Sequence, residues 1–266
     1  VTTLVRAGVG HLLTGRDGGV SAPPYDAWNL SDGVGDAPPA VARNRELLAE
    51  RTGVPAARTA WMHQVHGTSV AGVGDRIDGP FEATDGLVTD RPGTALAVLV
   101  ADCVPVLAAD PVAGVVGVAH AGRRGAAAGI LGRLLAALED LGGSTGRTQV
   151  LLGPAICGRC YEVPDDLQDE VERQLPGSAC RTADGTGGLD LRAGLAAQLA
   201  GLGVARWRVD PRCSREDGTL FSHRRMGGAR TGRFAGVVWT APEHTPADPG
   251  GPGATDVFAP PGGGGA

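Results

Sequence analysis

Along the first 240 residues, short apolar runs alternate with polar stretches of helical periodicity. Residues 94–101 form an apolar run that predicts a buried strand ending at Asp102-Cys103, and residues 115–119 predict a second strand ending at His120. The two strand ends are expected to lie side by side. Residues 150–152, 204–209 and 233–239 predict further strands. Between them, residues 125–141 carry Ala and Leu at helical spacing and stop at Gly142-Gly143, and residues 164–175 and 190–201 predict two more helices. Near the N-terminus, Asp36 followed by Pro38 and Pro39 opens a helix that runs to about Glu50, with Gly53 as its stop. Trp28-Asn29-Leu30-Ser31, just before it, reads as a polar loop. This alternation predicts an α/β (α+β) fold, a layered sandwich of mixed sheets covered by helices.

Residues 1–241 read as a single domain, with no break in composition. From Pro242 onward Pro, Gly, Ala and Thr dominate, and residues 259–266 hold too little apolar surface to offset the entropy of ordering them. Residues 242–266 are therefore expected to be a disordered tail, with Phe258 as its one large apolar anchor.

Composition removes several function classes. The chain has no lysine, so all 24 basic residues are arginine, which excludes a Walker A lysine, a pyridoxal Schiff base and a kinase-type lysine. A GC-rich coding bias explains arginine in place of lysine together with abundant Ala and Gly. The net charge is -5 and the arginines are scattered, so nucleic acid is not an expected partner. No window is apolar for long enough to cross a bilayer, and the first residues lack the pattern of a secretory signal, so the expected location is cytoplasmic with no membrane partner. Five cysteines, an odd number, argue for reduced thiols rather than a disulfide framework.

Three motifs at the edges of apolar runs carry the chemistry: His63-Gln64-Val65-His66-Gly67, Asp102-Cys103 and His120-Ala121-Gly122-Arg123-Arg124-Gly125. Two imidazoles and one thiolate form a fairly soft donor set that suits zinc, and three protein ligands leave a fourth position for water or substrate. Other motifs fail. Cys157-Gly158-Arg159-Cys160 matches half of a zinc knuckle or a redox pair, but a structural site needs two further ligands, and Cys180 and Cys213 stand alone in the sequence. The zinc nucleobase deaminase signature is absent, because no His is followed two residues later by Glu and Pro154 is not adjacent to Cys157. There is no H-E-x-x-H, and Gly8-Val9-Gly10 lacks the third glycine of a dinucleotide loop.

These motifs, with Ala101 to Val106, Gly153 to Ile156, Cys160 to Val163, Phe221 to Arg225 and Thr231-Gly232-Arg233, resemble the YfiH family of laccase domain-containing proteins over about residues 29–236. Its members have been called multicopper polyphenol oxidases and are now described as zinc-dependent purine nucleoside phosphorylases with adenosine deaminase activity. The resemblance implies a cytotoxic necrotizing factor/YfiH-like fold and metal ligands His66, Cys103 and His120, with His63 outside the ligand set. Asn29-Leu30, Gly35-Asp36 and Asn44-Arg45 match further family positions, which makes Asn29 and Arg45 candidate substrate contacts. The chain departs from the family at Arg123, where Trp is usual, and at His223, where Tyr is usual, so both bear on substrate preference.

The implied partners are a purine nucleoside and phosphate, and the implied cofactor is Zn2+, although the same donor set also binds Cu2+. Arg45 and Arg124 are the expected phosphate clamp, since a guanidinium matches phosphate oxygens with two donors. Asp102, beside Cys103, is expected to orient a ligand, relay a proton or cap a turn. Two alternatives remain open at this stage. One is a metal-free thiol hydrolase with Cys103 as nucleophile and His120 as its base. The other is a copper-dependent polyphenol oxidase, although a multicopper centre needs many more histidines than the six present.

Overall fold

The computed structural model describes residues 4–6, 8–241 and 256–259. Strands β1 (Leu4–Arg6) and β2 (Val9–Leu13) precede helix α1 (Pro38–Thr52), and β3 (Thr59–Ala60), β4 (Val70–Gly72), β5 (Gly86–Thr89) and β6 (Ala95–Val100) follow it. A hairpin of β7 (Val104–Asp110) and β8 (Val115–Ala121) leads to α2 (Arg123–Ala127), α3 (Ile130–Asp140) and β9 (Gln149–Leu152). Then come α4 (Asp165–Gln174), β10 (Ala179–Arg181), β11 (Gly187–Leu189), α5 (Leu191–Gly201), β12 (Arg206–Val209) and β13 (Phe234–Thr240).

Two mixed sheets form the centre, one ordered β1-β2-β13-β6-β3 and the other β12-β9-β7-β8-β5-β4. Alternation along each strand decides how they stack. In β6, Leu96, Val98 and Val100 join the core between the sheets, whereas Ala95, Ala97 and Leu99 face Trp28, Trp61 and Leu48 of α1. In β7, Leu107 and Ala109 face the first sheet, whereas Val104, Val106 and Ala108 face α3 and α5. The order of layers is helix, sheet, sheet, helix. Helix α3 closes the outer layer with Ile130, Leu131, Leu134, Leu135 and Leu138, each buried side chain contributing roughly 1.5–3 kcal/mol.

Three expectations are corrected. The strands predicted over 94–101 and 115–119 lie in different sheets, packed face to face, and it is β7 that pairs with β8, placing Pro105 opposite His120. Pro105 hid this strand. Its carbonyl accepts the Gly153 N–H at 2.9 Å, so its nitrogen points to the same side, past the last β7–β9 pair at Val106 and Leu152, where no donor is required. The helix predicted over 125–141 is two helices, broken at Gly129 with φ 87°. Asp36 does not cap α1, whose N-cap is Ala37; its carboxylate accepts instead from the Ser21 hydroxyl (2.6 Å) and the Asn29 amide (2.9 Å).

Most of the expected tail lies outside the described residues, but residues 256–259 pack on the core. Val257 and Phe258 are buried, the Phe258 ring meets His11 edge-on at 5.1 Å, and Asp256 pairs with Arg208 at 2.6 Å.

Candidate metal centre

Cys103 sits in the short connection where the chain crosses from the first sheet to the second, between β6 and β7. His120 stands near the end of β8, and His66 on the loop before β4. Their ligand atoms all lie within 4.8 Å of one another. Cys103 Sγ is 3.8 Å from His66 Nε2, and the two imidazole rings are 4.6 Å apart at 75°.

Two of the residues that set this geometry have left-handed backbones, His66 at φ 61° and Asp102 at φ 95°. Such conformations cost on the order of 1–3 kcal/mol each and persist only where surrounding bonds enforce them. Asp85, at the start of β5, does so for the His66 loop: its carboxylate accepts the backbone N–H groups of Val65 (3.1 Å), His66 (2.9 Å) and Gly67 (2.7 Å). Asp102 is held by the hydroxyls of Ser214 and Ser222, both at 2.6 Å, and by the Arg224 N–H at 2.7 Å. Gln64 supports the same corner, exchanging two hydrogen bonds with the backbone of Leu99 at 2.8 and 2.9 Å.

The glycines of the His120 motif follow from this packing. A Cβ on Gly122 would stand 2.6 Å from His66 Cδ2 and 3.1 Å from Cys103 Sγ, and one on Gly125 would stand 2.7 Å from the Gly67 carbonyl. Any side chain at 122 pushes two of the three donors apart.

Asp85 also fixes the chemistry of His120. Its Oδ1 lies 2.8 Å from His120 Nδ1, which leaves Nε2 to face the other two donors. Burial alone would push the Asp85 carboxyl up, but the bonds from His120, Gly67 and Val65 hold it below the usual carboxylate range. Burial would likewise raise the Cys103 thiol, yet hydrogen bonds from His120 and His66 bring it down to about 6. His120 moves oppositely: burial lowers it, and its bonds to Asp85 and Cys103 raise it to about 9. A thiolate, two imidazoles and a carboxylate that orients one of them fit zinc, with one position left open.

The trio borders a cavity of about 610 Å³, whose walls include Ile156, Tyr161, His223 and the arginines Arg123, Arg224 and Arg233. Arg224 stacks over the Tyr161 ring at 5.0 Å, and both departures from the family pattern, Arg123 and His223, face this space.

The structure brings His66, Cys103 and His120 together and separates other candidates from them. His63 faces Glu82 at 2.8 Å and stands apart from the trio. Arg45 stacks on Trp61 at 4.3 Å and pairs with Asp32 at 3.2 Å, beside a neighbouring hollow of about 240 Å³. Arg124 is exposed, with one bond to the Val65 carbonyl at 3.3 Å. Asn29 is fully buried and positions others: its Oδ1 accepts the Arg233 N–H at 2.9 Å and its amide binds Asp36. Asp102 lines the cavity, with its carboxylate committed to Ser214, Ser222 and Arg224. Sequence reasoning missed Asp85, since Asp85-Gly86 reads as a turn.

The chain matches the model of the family described as multi-copper polyphenol oxidoreductase laccase over residues 10–241. It is 54% identical over 229 residues to a Mycobacterium tuberculosis protein named purine nucleoside phosphorylase, covering 86% of this chain and 91% of that one. A Corynebacterium glutamicum protein of the same name is 50% identical over 237 residues, covering 88% and 96%. Among solved structures, YlmD from Geobacillus stearothermophilus superposes with a TM-score of 0.83 at 35% identity, covering 88% of this chain and 93% of that one. Bacillus licheniformis YfiH gives 0.78 at 32% identity, covering 87% and 92%. The chain belongs to this laccase-domain, YfiH family, and its fold is the mixed α/β fold of those structures.

Proposed function

We propose that this laccase-domain chain is a zinc-dependent purine nucleoside phosphorylase that also deaminates adenosine. The observation that carries the reading is the convergence of His66, Cys103 and His120 at the border of an arginine-lined cavity. The names of the relatives support the phosphorylase part. When bound, zinc would supply a Lewis acid that polarises a substrate or water oxygen near neutral pH.

The chain's own residues would do the rest. Phosphorolysis forms a bond from a phosphate oxygen to the anomeric carbon and breaks the bond from that carbon to the purine nitrogen, whose electron pair leaves with the base and takes a proton. Arg123, Arg224 and Arg233 would hold the phosphate, because fixed guanidinium groups in a partly water-excluded site bind phosphate oxygens strongly. Arg45, through Asp32, and Asn29, through Arg233, would position the cavity wall. Deamination adds water at the amino-bearing carbon and releases ammonia, with Asp85 keeping His120 oriented throughout.

The working unit would be the domain over 1–241, acting in the cytoplasm on a nucleoside and phosphate. Among the described residues no helix is long and apolar enough to cross a membrane. Purified protein, analysed for metal and incubated with adenosine, should yield adenine and ribose 1-phosphate with phosphate present and inosine without it. No product from zinc-loaded protein would overturn the purine reading. Activity that survives metal removal would favour Cys103 as a thiol nucleophile with His120 as its base, for which the hydrogen bond between the two side chains is suitable.

A further inference from the structure

A second cluster of metal-ligating side chains lies outside the centre described above. Cys157, Cys160, Cys213 and Glu216 each offer one ligand atom, and the four atoms lie within 4.8 Å of one another. The sequence separates the two pairs by more than fifty residues, which is why Cys213 read as isolated. The fold brings them together through a parallel bridge between Ala155 and Cys213 and the Ser214 N–H bond to the Ala155 carbonyl at 3.0 Å.

We propose that Cys157, Cys160, Cys213 and Glu216 form a second, closed zinc site that staples these two loops together. Each pair spans one tight turn of the same design. The N–H groups of Cys160 and Tyr161 bond to the Cys157 carbonyl at 2.9 and 3.0 Å, and those of Glu216 and Asp217 to the Cys213 carbonyl at 3.1 and 2.8 Å. Two ligand-x-x-ligand turns therefore face each other, as a tetrahedral ion requires. Zn–S bonds of about 2.3 Å and Zn–O bonds of about 2.0 Å at the tetrahedral angle place sulfur and oxygen about 3.5 Å apart. Cys160 Sγ and Glu216 Oε1 stand 3.4 Å apart.

The surroundings suit thiolates held by a cation. The Cys157 N–H donates to Cys213 Sγ at 3.4 Å, and backbone donors to sulfur stabilise its charged form. Cys160 and Cys213 are buried while Cys157 and Glu216 reach the surface, which gives an ion an entry path. Three sulfurs and one carboxylate oxygen share a space small enough for a single ion to bridge. Four protein donors complete a tetrahedron, so the site has no open position for chemistry. Its role is mechanical. The first loop carries Ile156 and Tyr161 to the cavity wall, and the second carries Ser214, whose hydroxyl holds Asp102 beside Cys103.

The test is the zinc content of the full chain, purified under reducing conditions and measured by elemental analysis. Two zinc ions per chain are expected, falling to one in Cys103→Ala and to one in Cys160→Ser. Cys180→Ser, which lies outside the cluster, should keep both. Should Cys160→Ser fail to fold, Cys103→Ala stripped of zinc and loaded with cobalt(II) provides the second readout. Intense thiolate-to-cobalt charge transfer with tetrahedral visible bands is expected there. A single zinc lost entirely in Cys103→Ala, cobalt spectra without thiolate bands, or a disulfide among Cys157, Cys160 and Cys213 would each overturn the proposal.

Discussion

The carboxylate of Asp85 joins His120 and the His66 loop in one set of bonds: Oδ1 is 2.8 Å from His120 Nδ1 and 2.9 Å from the His66 N–H. One buried side chain thus sets the tautomer of one candidate metal donor and the strained backbone of another. Asp85→Asn keeps the size but offers one acceptor oxygen in place of two and removes the charge. Losing a partner of this kind typically costs about 10–100-fold in metal affinity. That loss is expected in a chelator competition assay, together with a lower melting temperature. Affinity unchanged within a factor of two would show that the pairing does not tune the centre.

In metal-free protein, Cys103 titrates at about 6 and His120 at about 9, so the two form a thiolate–imidazolium pair between those values. The thiolate is the reactive form, and protonation removes it as pH falls through about 6. Alkylation of Cys103 by iodoacetamide should therefore be nearly level from pH 7 to 8 and decline below pH 6, whereas an ordinary thiol still gains reactivity above pH 8. Cys160, pushed up to about 12, should stay unmodified at pH 7. Zinc should protect Cys103. Peptide mapping of the modified thiols checks all three outcomes, and a midpoint for Cys103 near that of free cysteine would contradict them.

How much of this was legible follows from what each residue contacts. Apolar runs located β6, β8, β9 and β13, because strands buried on both faces are apolar throughout. β7 escaped because Pro105 and the Asp102–Cys103 corner interrupt its pattern. The three donors were legible as residue types beside glycines, and Gly122 shows why: its missing Cβ leaves room for His66 and Cys103. Asp85, Gln64 and the Cys157 cluster were not legible. Their partners across the fold lie 18 to 56 positions away, and spacing carries no record of contacts made by sheet packing.

The arginines that line the cavity differ from those the motifs suggested, and kinetics separates the two sets. Arg224→Ala removes a guanidinium from the cavity wall, and a charged hydrogen bond worth about 1.5–3 kcal/mol predicts a rise of roughly 10–100-fold in KM for phosphate. Zinc content should not change. Arg45→Lys keeps a cation for Asp32 but loses the planar stack on Trp61, so its main effect should be on thermal stability, with KM for phosphate within about two-fold of wild type. The opposite ranking of the two variants would return the phosphate clamp to Arg45.

Phe258 tests whether the end of the chain belongs to the core. The residue is 4% exposed and its ring packs edge-on against His11, while the adjacent Val257 N–H donates to the Gln149 side chain of β9 at 2.8 Å. Residues 256–259 thereby cover apolar surface between the two sheets that would otherwise meet water. Phe258→Ala should cost about 3 kcal/mol, the lower end for a buried phenylalanine, because a short surface segment relaxes more readily than a strand. For a domain of this size that corresponds to a fall of roughly 5–10 °C in Tm. Zinc content and turnover should be preserved, since Phe258 lines a separate hollow beside β9 and β12 rather than the cavity at Cys103. A Tm unchanged by Phe258→Ala would show that the segment adds no stability in solution.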